Sequence, residues 1–399
     1  MNPKLRFKDF KDDWTELKVS DAFEAILGGG TPKKNQNYWS GTIPWISSSD
    51  VPEDSISRIN ISRFITEDAI SNSATKQIPK GSVLVVSRVG VGKVAIAPVD
   101  LCTSQDFTNL IGCKGDPYFY AYSLSALMKR KSSSVQGSAI KGIPAAEIKE
   151  YTINSTSLKE QLKISELLSL FDKKITIAET KFRTITTLKE IVAKQTFGQF
   201  KYSASRSPLI KLGDVCESIM VGIANSATHA YTETGIPMLR NMNIRRNWLD
   251  DTDIIHIKKT FEETYKNKRL KTHDIIVCRT GYPGTACLVP KKYEGAQTFT
   301  TLIVRINQTV ANPSYICQYI NSSFGKAYID ITTIGGGQKN SGASIIRNMP
   351  IILPDLNTQQ KVAQLLELLD QKVRNAKKRI VLLKSIKEGL LQQMFVLPK

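Results

Sequence analysis

The chain is poor in the residues that build metal and redox sites. It has three histidines and six cysteines in 399 residues. His229, His256 and His273 stand far apart, and Cys102, Cys113, Cys216, Cys278, Cys287 and Cys317 include no C-x-x-C spacing, which argues against a zinc site. Such cysteines read as reduced thiols of a cytoplasmic protein rather than as a disulfide framework. No apolar run approaches the ~20 residues of a membrane span. The start, MNPKLRFKDFKDDW, is too polar and charged to read as a signal peptide.

Catalytic signatures are also missing. There is no G-x-S-x-G and no H-E-x-x-H. Gly90-Val91-Gly92-Lys93 fails the spacing of a phosphate loop, with Val94 where a hydroxyl is needed. Asp116-Pro117-Tyr118-Phe119 is one proline short of the loop by which amino-methyltransferases hold a flipped adenine. No F-x-G-x-G turn supplies a cofactor site, and helix capping explains Asp116-Pro117 equally well. What the chain has in excess is positive charge: 55 Lys and Arg against 36 Asp and Glu, a formal +19. A field of that size favours a polyanionic partner such as nucleic acid.

Residues Leu158 to Phe197 carry a heptad seam. Ile164, Leu168, Phe171, Ile175, Ala178, Phe182, Ile185, Lys189 and Val192 recur at alternating steps of four and three. That pattern marks a long helix lying against another helix. Every one of these positions reappears 198 residues later, at Val362, Leu366, Leu369, Val373, Ala376, Ile380, Leu383, Lys387 and Leu390. Residues outside the seam match at the same offset: Gln161 with Gln359, Lys163 with Lys361, Gln195 with Gln393, Phe197 with Phe395. A constant offset that includes non-core identities signals internal duplication. Lys189 and Lys387 cannot stay buried unpaired; they snorkel or mark where the seam opens.

The globular segments repeat too. Ile236-Pro237-Met238-Leu239 answers Ile43-Pro44-Trp45-Ile46; KTHDIIVCR (271–279) answers KGSVLVVSR (80–88); AQTFTTLI (296–303) answers SQDFTNLI (104–111). Asn312-Pro313 answers Asp116-Pro117 as a helix start. Ser157-Leu158-Lys159-Glu160 reads as a capping box, and Asp355 as the N-cap of the second long helix. Short strands mixed with one or two helices, without βαβ alternation, give an α+β class. The expected organisation is a domain over 1–155, a helix over 156–200, a second domain over 201–353 and a second helix over 354–399.

Polar loops fall at matching places in the two copies while their residues differ. Arg, Lys, Asn, Ser, Thr and Gln read base edges, and glycine-turn amides grip phosphates. In the first copy the candidate DNA contacts are Thr31, Lys33, Lys34, Asn35, Asn37, Tyr38, Ser48, Arg88, Lys93 and Lys141. In the second they are Arg240, Asn241, Asn243, Arg245, Arg279, Tyr282, Gln338 and Lys339. Arg88 and Arg279 follow what reads as the same strand. That suits a shared phosphate contact, with an arginine that merely holds the turn together as the rival.

Several features together resemble the specificity subunit of type I restriction–modification systems over essentially the whole chain. They are the LLSLFDKKI stretch of 167–175 with its copy LLELLDQKV of 365–373, the turns VVSRVGVGK and IVCRTGYPG, the two Ile-Pro strands, and SAIKGI. The resemblance implies two α/β-mixed target-recognition domains separated by two long antiparallel coiled-coil helices, and a split double-stranded DNA target. It further implies two methyltransferase subunits docked on the helices and restriction subunits joined to that core. No catalytic residue, metal or cofactor is expected on this chain, with S-adenosylmethionine and ATP on the partners. A protein-binding coiled-coil adaptor and a self-sufficient DNA methyltransferase are the alternative readings. One departure is that Val221-Gly222-Ile223-Ala224 stands in the second copy where the first has its loop from Gly28 to Pro32.

Overall fold

The structure, a computed structural model, describes residues 2–134, 142–198, 209–332 and 342–396, with the backbone alone at 132–134. It forms two compact units: residues 1–180 with 377–399, and residues 181–376. Each unit therefore holds one globular domain and one stretch of each long helix.

In the first unit the strands are β1 (Thr15–Lys18), β2 (Phe23–Gly28), β3 (Ile43–Ile46), β4 (Arg63–Ile65), β5 (Gln77–Ile78), β6 (Val83–Val86), β7 (Val94–Ile96), β8 (Leu101–Thr103), β9 (Phe107–Cys113) and β10 (Thr152–Ser155). They build sheets of order β2-β9-β6-β7 and β4-β3-β8-β5, with β1 paired to β10. The second unit holds β11 (Leu209–Lys211), β12 (Cys216–Val221), β13 (Tyr231–Thr232), β14 (Ile236–Leu239), β15 (Ile244–Arg245), β16 (Trp248–Leu249), β17 (Ile255–Ile257), β18 (Ile275–Cys278), β19 (Ala286–Leu288), β20 (Gln297–Thr298), β21 (Thr301–Ile306) and β22 (Pro350–Ile352). Its sheets run β12-β21-β18-β19 and β13-β17-β14-β20, with β11 on β22 and β15 on β16. Only β3 on β8 and β14 on β20 pair in parallel among the described strands.

The apolar runs VLVV and IIVC follow from burial on both sheet faces. Val83 and Val85 enter the core shared with the helix Pro117–Ser134 and the long helices, while Leu84 and Val86 enter a second core with Ile46 and Leu101. Ile275 and Val277 against Ile276 and Cys278 repeat that division.

The long helices run Leu158–Gly198 and Leu356–Met394. Their starts are fixed alike. Gln161 Oε1 accepts from the Asp116 amide at 2.9 Å and its Nε2 donates to Thr156 O at 2.7 Å. Gln359 makes the matching bonds to the Asn312 amide (2.8 Å) and Pro354 O (2.7 Å). Asp116, Asn312 and Asp355 cap as expected, accepting from the amides of Phe119, of Ser314 and Tyr315, and of Thr358. The box expected at Ser157 does not close: Glu160 turns instead to Arg6 and Thr156. Burial works against that carboxylate, but the Arg6 and Thr156 hydrogen bonds win and hold it below the usual range. Phe395 closes the first core against Trp14 and Phe119, and Phe197 closes the second against Tyr315 and Tyr319.

The seam lysines neither snorkel nor open the seam. In the first unit Lys387, 7% exposed, pairs with Asp172. Its ammonium also donates to Asp54 O (3.1 Å), and the Tyr122 hydroxyl donates to Asp172 at 2.6 Å. In the second unit Lys189 pairs with Asp370, which also accepts from Gln318 (2.8 Å) and Asn247 (3.2 Å). The two pairs are one interaction written twice, because both members recur 198 residues apart. In the first unit Asp172–Lys387 and Glu179–Lys384 run in opposite senses along the two helices, so these stretches pair antiparallel. Arg58 and Lys384 each bridge Asp54 and Glu179 there, joining the domain to both helices.

One sequence correspondence shifts. Gly29 N–H donates to Phe107 O, and Gly222 N–H to Thr301 O, so Phe107 answers Thr301, two residues beyond the match of SQDFTNLI with AQTFTTLI. Gln297 is accordingly no counterpart of exposed Gln105. It is fully buried and donates to Glu262 (2.8 Å) and Tyr265 O (3.0 Å).

A buried carboxylate stripped of its cation is costly, whereas an apolar replacement of both partners is not. Lys387→Ala is expected to lower unfolding free energy by about 3 kcal/mol in denaturant titration. Lys387→Met combined with Asp172→Leu should recover most of that loss.

Candidate nucleic-acid interface

In each unit two polar turns sit against one another at the ends of strands. The first follows the Ile-Pro strand. Ser47 N–H donates to Asp50 Oδ2 (2.7 Å), and in the second unit Arg240 N–H donates to Asn243 Oδ1 (2.8 Å). Beside it lies the hairpin turn joining β6 to β7, or β18 to β19. Lys93 Nζ clasps Ser48 O at 3.2 Å in one unit, and Asn241 Nδ2 clasps Thr280 Oγ1 at 2.8 Å in the other.

Glycine has a specific job beside these turns. A Cβ on Gly29 would lie 2.1 Å from Ser104 O, and one on Gly222 would lie 2.3 Å from Thr298 O. Close backbone approach thus demands glycine at both positions, although the flanking residues differ. Beyond Gly29 the loop is pinned by Trp45 Nε1 donating to Gly30 O (3.0 Å).

The candidate contacts divide into surface and framework. Thr31, Lys33, Lys34, Asn35 and Asn37 are exposed on that loop. Thr31 Oγ1 donates to Gln105, and Asn35 caps the Asn37 amide at 3.1 Å. Tyr38 is half-buried against the cluster of Trp45 and Ile65. Ser48 is buried and Lys93 is engaged with its carbonyl, so both serve the turn. Arg88 is exposed and makes no hydrogen bond or ion pair among the described residues. Gly142 packs on its backbone, where a Cβ would fall 3.0 Å from Arg88 Cα. Lys141, Gln338 and Lys339 lie outside the described residues.

In the second unit Arg240 pairs with Asp253 at 2.8 Å and Arg245 with Asp250 at 3.1 Å. Asn243 is 2% exposed and holds Asp250 O (3.0 Å) and Asp253 O (2.9 Å), which makes it framework. Tyr282, at the hairpin tip, is 78% exposed. Lys326, which no sequence motif singles out, lines one cavity with Arg246, Tyr282, Asn321 and Asp330. It stands on the helix Ser323–Thr332, far in sequence from the turn, so only the fold brings it there.

The two turn arginines are not equivalent. Val86 N–H donates to Lys93 O and Gly92 N–H to Val86 O; Cys278 N–H donates to Thr285 O and Gly284 N–H to Cys278 O. Val86 therefore answers Cys278, Ser87 answers Arg279, and Arg88 answers Thr280. Face alternation agrees, since Val85 and Val277 both enter the long-helix core. The match of KGSVLVVSR with KTHDIIVCR is out by one residue, and the shared phosphate contact it suggested falls. Arg279 is half-buried, with Nε enclosed and unpartnered among the described residues.

The six thiols are unpaired and none belongs to a metal-binding group among the described residues. Burial pushes Cys102 up to about 12 and Cys113 up to about 11, which keeps both protonated and unreactive. No described helix is long and apolar enough to cross a membrane.

Asn243→Ala removes three hydrogen bonds from a buried turn. We expect a loss of about 2 kcal/mol in thermal unfolding, larger than for any exposed candidate such as Lys34.

Known proteins share this organisation. Residues 11–187 and 208–385 each match the family described as the Type I restriction modification DNA specificity domain. The specificity subunit of the MjaIX type I restriction enzyme of Methanocaldococcus jannaschii is 26% identical over 406 residues, spanning 96% of this chain and 92% of that protein. The EcoR124I/EcoR124II specificity subunit of Escherichia coli is 29% identical over 172 residues, 41% of this chain and 42% of that protein. Among solved structures, the type I restriction–modification S subunit from M. genitalium shares the fold with a TM-score of 0.68 at 16% identity, covering all of both chains. The duplicated framework and these matches agree, and the chain belongs to the family of type I restriction–modification specificity subunits, carrying its DNA specificity domain twice.

Proposed function

We propose that this chain acts as the non-catalytic reader of a restriction–modification complex, each domain recognising one half of a bipartite double-stranded DNA target. The observation that carries it is the repetition itself: one framework of turns, held by matching hydrogen bonds, displays different polar side chains in its two copies. The net charge of +19 supplies the sequence-independent attraction to phosphates.

The long helices supply the partner surface. Leu158, Leu170 and Leu188 are exposed, and so are their counterparts Leu356, Leu368 and Ile386. Large apolar side chains left in water at repeated positions suit two copies of one partner. We assign them to two methyltransferase subunits, with Lys173, Lys174, Lys181 and Arg183 on the exposed surface beside them. Restriction subunits join that assembly. S-adenosylmethionine and ATP belong to the partners, and the assembly works in the cytoplasm.

The test is methyl transfer and DNA binding with the whole chain. The chain alone should transfer no methyl group, and adding modification subunits should restore transfer. Log affinity should fall steeply with log salt, and Lys33→Ala with Lys34→Ala should flatten the slope by about 0.9 for each phosphate that is no longer neutralised. Transfer by the chain alone, or binding insensitive to salt, contradicts the reading.

A further inference from the structure

The ladder register exposes a feature that the repeated residues conceal. The turns Ser87–Val91 and Arg279–Pro283 are both five residues long. Both are closed by the same backbone bonds, at 2.9 and 3.2 Å in the first unit and 2.8 and 3.0 Å in the second. Both are followed by a glycine with positive φ, Gly92 at 104° and Gly284 at 82°. A side chain ties each hairpin to the neighbouring box turn, Lys93 just past the first turn and Thr280 within the second.

Within that constant frame the display differs. The inner left-handed glycine is Gly90 in one turn and Gly281 in the other. These are the fourth and third of the five positions, so the turns present different residues. The first holds out Arg88 and Val89, the latter 71% exposed; the second holds out Tyr282. A fixed frame with a variable display is what exchangeable specificity requires.

Resting on the function proposed above, we propose that these two five-residue turns are interchangeable base-reading cassettes, with Arg88 reading a guanine in one half-site and Tyr282 reading a base edge in the other. The chemistry fits. The Arg88 guanidinium has no described protein partner, and its fork matches guanine O6 and N7. Tyr282 offers an apolar ring face and a hydroxyl. Arg279 occupies the Ser87 position, at the base of the turn, and is half-buried there.

The experiment maps methylated sites with the full chain and its modification subunits. Three variants are compared with wild type: Arg88→Ala, Tyr282→Ala, and a chain in which residues 87–91 carry the sequence of 279–283. Arg88→Ala should raise methylation of sites altered at one G·C pair of one half-site by about 10- to 100-fold relative to the cognate site. The other half-site should be untouched. Tyr282→Ala should relax one position of the opposite half-site, and the exchanged turn should give its half-site the preference of the donor copy. Both single side chains stand in solvent, so they carry the test if the exchanged turn does not fold. Half-sites unchanged in both single variants overturn the assignment while leaving bipartite recognition standing. A wild-type map without a split target would sink both.

Discussion

A lysine in a helix seam and an aspartate flanking the seam of the facing helix organise this molecule. Lys387 and Lys189 each take a seam position where a coiled coil would ordinarily put an apolar residue, and each pairs with an aspartate beside the other helix's seam, Asp172 and Asp370. Such a pair adds little net stability over a hydrophobic substitute, because desolvation offsets most of the attraction. It does specify which turns of the two helices meet. Each pair is also tied sideways to its domain, by Tyr122 in one unit and by Gln318 and Asn247 in the other. The same contact therefore sets helix register and orients the reading domain upon it.

The surrounding cores show why neither domain is self-contained. Val83 and Val85, or Ile275 and Val277, face a layer that the domain covers only in part; the long helices complete it with Ile164, Leu168 and Leu391, or with Leu366, Leu369 and Phe197. Duplication preserved what this packing demands: the seam, the capping side chains, Gln161 and Gln359, and the close-approach glycines. The displayed residues of the turns were released from that demand. In the first unit the four-membered cluster of Asp54, Arg58, Glu179 and Lys384 adds a link sensitive to acid. Burial would raise both carboxyls, but Lys384 and Arg58 hold them low, so this contribution is present at neutral pH and is lost as pH falls through their depressed values.

Much of this was legible in the sequence. The heptad spacing, the 198-residue offset, the caps at Asp116, Asn312 and Asp355, and the Ile-Pro strands all survive in three dimensions. Each rests on short-range periodicity or on a local hydrogen bond. Besides the unclosed box at Ser157 and the paired seam lysines, two readings failed at the polar turns. Identical letters misled the register: Arg88 and Arg279 look equivalent in sequence, yet the ladder sets Arg279 opposite Ser87. Polarity also misled. Ser48 and Asn243 look like surface residues but are buried, with the Ser48 carbonyl satisfied by Lys93 and the Asn243 amide by backbone carbonyls. Lys326 approaches Tyr282 only through the fold.

On this account the paired helices set the spacing between the two half-sites that the domains read. The most direct test inserts one heptad into each long helix between its paired aspartate and its seam lysine, keeping both ion pairs, and maps methylation by the assembled complex. We predict two unchanged half-sites separated by a longer unspecified gap. An altered half-site, or a gap of the original length, would contradict the account.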